Sequence, residues 1–153
     1  MKSNMLFTIV LFLAISGSIF AQSDTQYYFS KKVNYTFEEA TQKITASLKE
    51  QGFGIVNEMD MDVKISEKIE DVDLKPYKIL DACNPGFALK TLKAEENIGL
   101  FLPCKVLVKQ LDDNQVEVVI VNPSFLMGML GNEKLVPIAD EVTKRFKKAL
   151  ENL

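Results

Sequence analysis

The chain has 153 residues, a length typical of one domain, and its 18 basic and 21 acidic side chains give a net charge of −3. That balance provides no basic surface for a nucleic-acid backbone, so we expect no nucleic-acid partner. The sequence contains no histidine, which excludes catalytic triads built on an imidazole and metal sites that require one.

Residues 1–21 have the pattern of a secretory signal peptide. Lys2 supplies the positive start, residues 5–15 are almost entirely apolar, and Ala21 offers a small residue for cleavage. The alternative is a retained membrane anchor, but a spanning helix needs about 20 apolar residues and this run is shorter. We therefore predict cleavage, and membrane contact only through the uncleaved signal peptide.

The mature chain then consists of a polar leader over residues 22–26 and a single α+β domain over residues 27–153. Export places this domain in the periplasm or outside the cell. In such a compartment a disulfide between the two cysteines could persist.

The first half of the domain alternates strands and helices. Residues 27–33 are aromatic and β-branched enough for a strand. Thr36 with Glu39 forms a capping box that predicts a helix, which Gly52 ends. A short strand over residues 54–58 follows. The next predicted elements are an amphipathic helix over 60–71, a strand over 77–83, and a helix that Asn84 and Pro85 begin.

The second half begins with the clearest β pattern, a strand over residues 98–111 and its partner over 116–121, joined by a polar turn. Residues 123–131 form a short helical or looped segment, and Asn132 caps the last helix. The order is β-α-β-α-β-α-β-β-α, which predicts an α+β fold with a mixed sheet, a C-terminal β-hairpin and helices mainly on one face.

Cys83 is the first candidate site residue, because it lies where a strand ends and a helix begins. Unpaired backbone N–H groups and the positive end of the helix dipole favour an anion such as a thiolate there. The competing interpretation is a small apolar residue that fills the strand end.

Cys104 lies on the apolar side of its predicted strand, where cysteine is often buried as a small hydrophobic residue. Pro103 inside this run removes a backbone donor, which predicts an edge strand or a bulge, and both occur near functional sites.

The strands that lead to Cys83 and Cys104 are candidates to be neighbours. The two thiols would then form a structural disulfide, a redox pair or two soft metal ligands, or remain two free buried thiols. Two Met-x-Met pairs, Met59-Asp60-Met61 and Met127-Gly128-Met129, add thioethers that suit Cu(I), although methionine also fills cores. We predict no resident metal, no cofactor and no catalytic residue.

Three stretches resemble the family called domain of unknown function 302 (DUF302): the Cys-Asn-Pro run at 83–85, the run over 98–108 that contains Leu-Pro-Cys, and the helix end at 52–55. The resemblance covers about residues 34–153. It implies a compact α+β domain that is often a homodimer, and it implies no particular activity. The family's common Cys-Asn-Pro and Pro-Cys elements correspond in this sequence to five residues: Cys83, Asn84, Pro85, Pro103 and Cys104.

We take those five residues as the predicted ligand-binding site. The predicted function is an exported small-ligand-binding or protein-interaction module with a paired-cysteine site, and the alternative is a thiol-based redox enzyme or a soft-metal-binding protein. Catalysis ranks lower because a cysteine nucleophile needs a base. Without histidine this must be a lysine or a carboxylate, and none lies at a spacing from the cysteines that identifies it as that base. The candidate partners are a small-molecule ligand and a second copy of the chain, which could dock through the apolar segment 125–130.

Overall fold

The structure, a computed structural model, describes residues 26–153. The predicted signal peptide and nearly all of the predicted leader lie outside these residues. Ten strands and helices and one 3₁₀ helix (Glu96–Phe101) follow one another in the chain: β1 (Tyr28–Val33), α1 (Phe37–Glu50), β2 (Gly54–Asp60), α2 (Met61–Ser66), β3 (Tyr77–Cys83), α3 (Pro85–Ala94), β4 (Cys104–Asp112), β5 (Gln115–Val121), α4 (Pro123–Gly128) and α5 (Val136–Glu151).

The five strands form one sheet in the order β1-β5-β4-β3-β2. The predicted α+β class and the interleaved element order are confirmed, and β4 and β5 pair as neighbours across a short turn. The expected mixed sheet is corrected, because every neighbouring pair is antiparallel. A parallel neighbour needs a connection that returns along the whole strand. Helix α2, with six residues, is only about 9 Å long, whereas a strand of seven residues such as β2 spans about 23 Å.

Three boundaries differ from the sequence prediction by about three residues or more. Residues 96–101 form the 3₁₀ helix instead of extending β4, and the second helix ends at Ser66 instead of residue 71. The last helix begins at Val136 rather than directly after Asn132. At the 3₁₀ helix and before the last helix the apolar pattern continued past the element, because Ile98 and Leu135 pack from these segments into the core. After the second helix the pattern rests on Ile69, which is 55% exposed and packs into no core.

Helices α1 and α5 cover one face of the sheet and enclose the core with it. Alternate strand residues such as Leu80, Val106 and Ile120 are fully buried there against Ile44 and Phe146. Among residues 26–153, no helix has the length and hydropathy that crossing a bilayer requires.

The other face of the sheet carries charge pairs. Lys105 pairs with Asp81, and Lys109 Nζ lies 2.7 Å from a carboxylate oxygen of Glu117. Partial burial alone would raise the pKa of Glu117, but hydrogen bonds from Lys109 and Ser30 outweigh it and hold that pKa below its ordinary value. This is the polar face of an antiparallel sheet with one buried side.

Because the strands alternate in direction, β3 and β5 end at the same edge of the sheet where β4 begins. Ala82 is the register partner of Cys104, and Gly54 is the partner of Cys83. The expectation that the strands leading to the two cysteines are neighbours is therefore confirmed.

Candidate functional site

The site is built on the corner where β3 becomes α3. The backbone N–H of Phe87 donates to Oδ1 of Asn84 at 3.0 Å, and Pro85 occupies the first turn, as predicted for this helix start. The other end of the same amide, Nδ2 of Asn84, donates to the carbonyl oxygen of Gly52 at 2.7 Å. One side chain thus fastens the start of α3 to the segment that enters β2.

Gly52 matches this arrangement. Its φ of +85° lies in the left-handed region, and a Cβ there would stand 3.3 Å from Nδ2 of Asn84. A larger residue would strain the backbone and crowd the hydrogen bond. Glycine is therefore the residue that lets the chain leave α1 and still meet the corner.

Cys83 and Cys104 line the same small cavity, together with Asn84. Cys83 is half-buried, Cys104 is 8% exposed, and both are free thiols. Since Cys104 lies opposite Ala82, the strand spacing and rise put its Cα roughly 6 Å from that of Cys83, inside the range that a disulfide tolerates. Regular alternation would send the two side chains to opposite faces, but Cys83 is the last residue of β3, where the chain turns into α3.

The cavity has a volume of about 20 Å³, room for one water molecule. Its walls are mostly apolar and include Phe53, Phe87 and Met127. The ring of Phe53 stacks on Phe87 at 6.2 Å between centroids and packs on Phe146 at 4.6 Å. These contacts close the cavity from the core side.

Burial, with a smaller contribution from the neighbouring Cys83, raises the pKa of Cys104 from 9.0 to about 12, against the opposing effect of Lys105. Cys104 is therefore a neutral thiol at neutral pH and a poor nucleophile until a partner or ion removes its proton.

The two prolines of the predicted site do not line the cavity. Pro85 is exposed at the first turn of α3, and Pro103 precedes β4 in the connection from the 3₁₀ helix. The expectation that Pro103 marks an edge strand or a bulge is wrong, because β4 lies between β5 and β3 and begins one residue later. Outside the ladder, its missing N–H breaks no strand pairing.

Met127 also lines the cavity, although it is not among the five residues predicted to form the site. It belongs to α4, is 5% exposed and lines the cavity with the two cysteines, whereas Met129 is 61% exposed. The Met-x-Met pattern identified both methionines without telling them apart. Asn122-Pro123 was the usable signal, since it fixes where α4 begins and so which methionine faces inward.

The side chains of the apolar segment 125–130 also differ in their exposure to solvent. Met127 is buried, Phe125 and Leu126 are half-buried, and Met129 and Leu130 are exposed. The segment therefore packs partly under α5 and presents only its last residues to solvent.

A larger hollow, about 420 Å³, lies beside α2 and is lined by residues from 62 to 74, among them Asp62, Glu67 and Asp73. Within residues 26–153, no group of three or more His, Cys, Asp or Glu side chains is placed to hold a metal ion. Glu67 and Asp73 are exposed and Asp62 is partly buried, so these carboxylates lie on a solvated surface.

Comparisons with known proteins agree with one another. The model of the family described as domain of unknown function DUF302 matches residues 29–153. A solved structure from Bacillus stearothermophilus, described as an uncharacterized conserved DUF302 protein, is 30% identical with a TM-score of 0.76, and the match covers 82% of this chain and 97% of that one. None of the curated proteins compared with the chain matches it.

Proposed function

The chain belongs to the DUF302 family, and we propose that it is an exported protein-interaction module whose Cys83–Cys104 pair works by thiol–disulfide exchange. The observation that carries this proposal is that both cysteines of the chain line one cavity, one half-buried and one buried. Such an arrangement separates an attacking thiol from a resolving thiol.

The size of the cavity favours a protein partner over a small-molecule ligand. A space of about 20 Å³ accepts one water molecule, while ligand pockets usually have several hundred Å³. A partner would have to act from the surface, where Cys83 is reachable and Cys104 is not.

The exchange needs a disulfide as oxidant, either on another exported protein or on a low-molecular-weight compound such as oxidised glutathione. The thiolate of Cys83 attacks one sulfur of that disulfide, forms a mixed disulfide and releases the other sulfur as a thiolate, which takes up a proton. The thiol of Cys104 then loses its proton to the second leaving thiolate and attacks the sulfur of Cys83. The products are a Cys83–Cys104 disulfide and two thiols.

Asn84 has a positioning role in this proposal. Its two hydrogen bonds, to the N–H of Phe87 and the carbonyl of Gly52, hold the residue next to Cys83. A fixed corner keeps Cys83 at the rim of the cavity, so that the mixed disulfide forms within reach of Cys104.

The test is intact mass of the reduced protein after exposure to oxidised glutathione, followed by alkylation. We expect the wild type to end as an internal disulfide that no longer alkylates. Cys104→Ala should stop as a mixed disulfide with one glutathione, and Cys83→Ala should remain unmodified while folded. If wild type and Cys104→Ala both stop at the glutathione adduct, the resolving role of Cys104 is wrong.

The export and homodimer predictions are proposals of the same kind. Cleavage of the signal peptide after Ala21 in the secreted protein would support export, and a doubled mass in solution would support the dimer. The exposed Met129 and Leu130 supply the apolar surface on which a second copy could rest.

A further inference from the structure

Three sulfur atoms from separate parts of the chain belong to residues that line one cavity. Cys83 ends β3, Cys104 begins β4 and Met127 lies in α4. Cys104 and Met127 are both at least nine-tenths buried, and Cys83 is half-buried. Thioether and thiolate together form a set of soft donors in a space whose other walls are mostly apolar.

The fold holds the methionine in this place independently of the cysteines. Asn122 begins α4, its Oδ1 accepts from the N–H of Phe125 at 3.3 Å, and Thr143 of α5 donates to the same oxygen at 3.4 Å. Met127 also packs with Ile98 from the 3₁₀ helix. The thioether therefore reaches the cavity from a helix that is fastened elsewhere.

We infer that this cavity is a binding site for a monovalent soft metal ion, Cu(I), held by the thiolates of Cys83 and Cys104 and the thioether of Met127. This inference rests on the same paired cysteines as the proposed function but requires Met127 in addition. The space of about 20 Å³ suits a single ion rather than an organic molecule.

The donor set selects the class of metal. Zinc takes four ligands in structural sites, and calcium and magnesium take oxygen ligands. Thiolate and thioether donors select Cu(I) among the metals available to an exported protein. Asn84 also lines the cavity, but both ends of its amide are engaged by Phe87 and Gly52.

Binding would exchange protons for the metal, because the ligand form of cysteine is the thiolate. The buried thiol of Cys104 is costly to ionise alone, and a bound cation would offset that cost. The same sulfurs cannot bind the metal and form a disulfide at once, so Cu(I) should protect the protein from oxidised glutathione.

The test is an anaerobic titration of the reduced protein with Cu(I) in competition with bathocuproine disulfonate, a coloured Cu(I) chelator. We expect one Cu(I) per chain and no competing uptake of Zn(II). Met127→Leu, which keeps the side-chain volume, should weaken Cu(I) binding by roughly tenfold or more, at least the effect of losing a supporting group around a metal. Met129→Leu is the matched control and should bind like the wild type.

The outcomes separate the two proposals. If Met127→Leu and Met129→Leu bind Cu(I) equally, or if binding survives Cys83→Ala combined with Cys104→Ala, this inference is wrong. If the chelator removes all Cu(I) from the wild type, it is wrong as well. Disulfide formation with glutathione needs only the cysteines, so it should proceed normally in Met127→Leu, and its failure there and in the wild type would instead overturn the exchange proposal.

Discussion

Two strands of the sheet end at the same edge with the same dipeptide. Asn84-Pro85 follows β3 and Asn122-Pro123 follows β5. At both corners the asparagine oxygen accepts the N–H three residues on, and the asparagine nitrogen donates to a carbonyl far away in the sequence: Nδ2 of Asn84 to Gly52 at 2.7 Å and Nδ2 of Asn122 to Gln26 at 2.9 Å.

The two corners differ in what surrounds them. Asn122 is 1% exposed, and its Oδ1 also accepts a hydrogen bond from Thr143 of α5. Asn84 is half-buried and lines the cavity that contains Cys83 and Cys104. The residue before the first corner is Cys83, and the residue before the second is Val121. The same local chemistry thus makes a buried fastening at one corner and a candidate reactive site at the other.

The largest expected effect is at the buried corner. Asn122→Ala leaves the N–H of Phe125 and the carbonyl of Gln26 without their partner, and the hydroxyl of Thr143 loses one. We expect a loss of about 2 kcal/mol in the free energy of unfolding, measured by urea denaturation. Asn97→Ala on the exposed surface is the control and should change it by less than about 0.5 kcal/mol. Equal effects in the two variants would mean that the Asn122 network is not structural.

Asn84→Ala should be less costly but more visible at the cysteines. We expect a loss of about 1 kcal/mol in the free energy of unfolding, typical of a lost helix cap. Because the corner no longer holds the rim of the cavity, Cys104 should alkylate faster in the folded protein, followed by intact mass. Asn122→Ala, studied where it is fully folded, should leave that rate unchanged. If both variants accelerate alkylation equally, the difference between the corners is one of stability alone.

The smallest effect is a pH dependence confined to the cysteine corner. Burial raises the pKa of Cys104 to about 12, above the 9.0 that applies without burial. The unfolded chain therefore releases this proton at a lower pH than the folded protein. Stability from this group is complete below about pH 9 and falls as the pH rises towards 12.

At pH 9.5 the expected loss is about 0.8 kcal/mol relative to pH 8, from the standard relation between pKa shift and free energy. Urea denaturation at both pH values measures it. Other ionisable groups also titrate between these two pH values, so the comparison is with Cys104→Ala. Its free energy of unfolding should fall less over the same range, by the amount expected for Cys104. A decrease of the same size in wild type and variant would show that Cys104 does not cause it.

Much of the fold could be predicted from residue patterns. The capping box of Thr36 and Glu39 begins α1, and Asn84 with Pro85 begins α3, because capping depends on residues within one turn. The strands over 77–83 and 116–121 were predicted close to their observed bounds, since alternation is also a local property. Of the five residues predicted to form the site, Cys83, Asn84 and Cys104 line one cavity and the two prolines lie outside it, while their binding role stays a prediction.

The sequence by itself determined the corners, the strands and the chemistry available at the end of β3, because caps, turns and period-two patterns act between residues a few positions apart. Only the tertiary structure decided that every strand pair is antiparallel, that Met127 and not Met129 joins the two cysteines, and that their common space holds little more than one water molecule. Those features depend on how helices pack across a sheet, and packing joins residues whose separation along the chain carries no local signal.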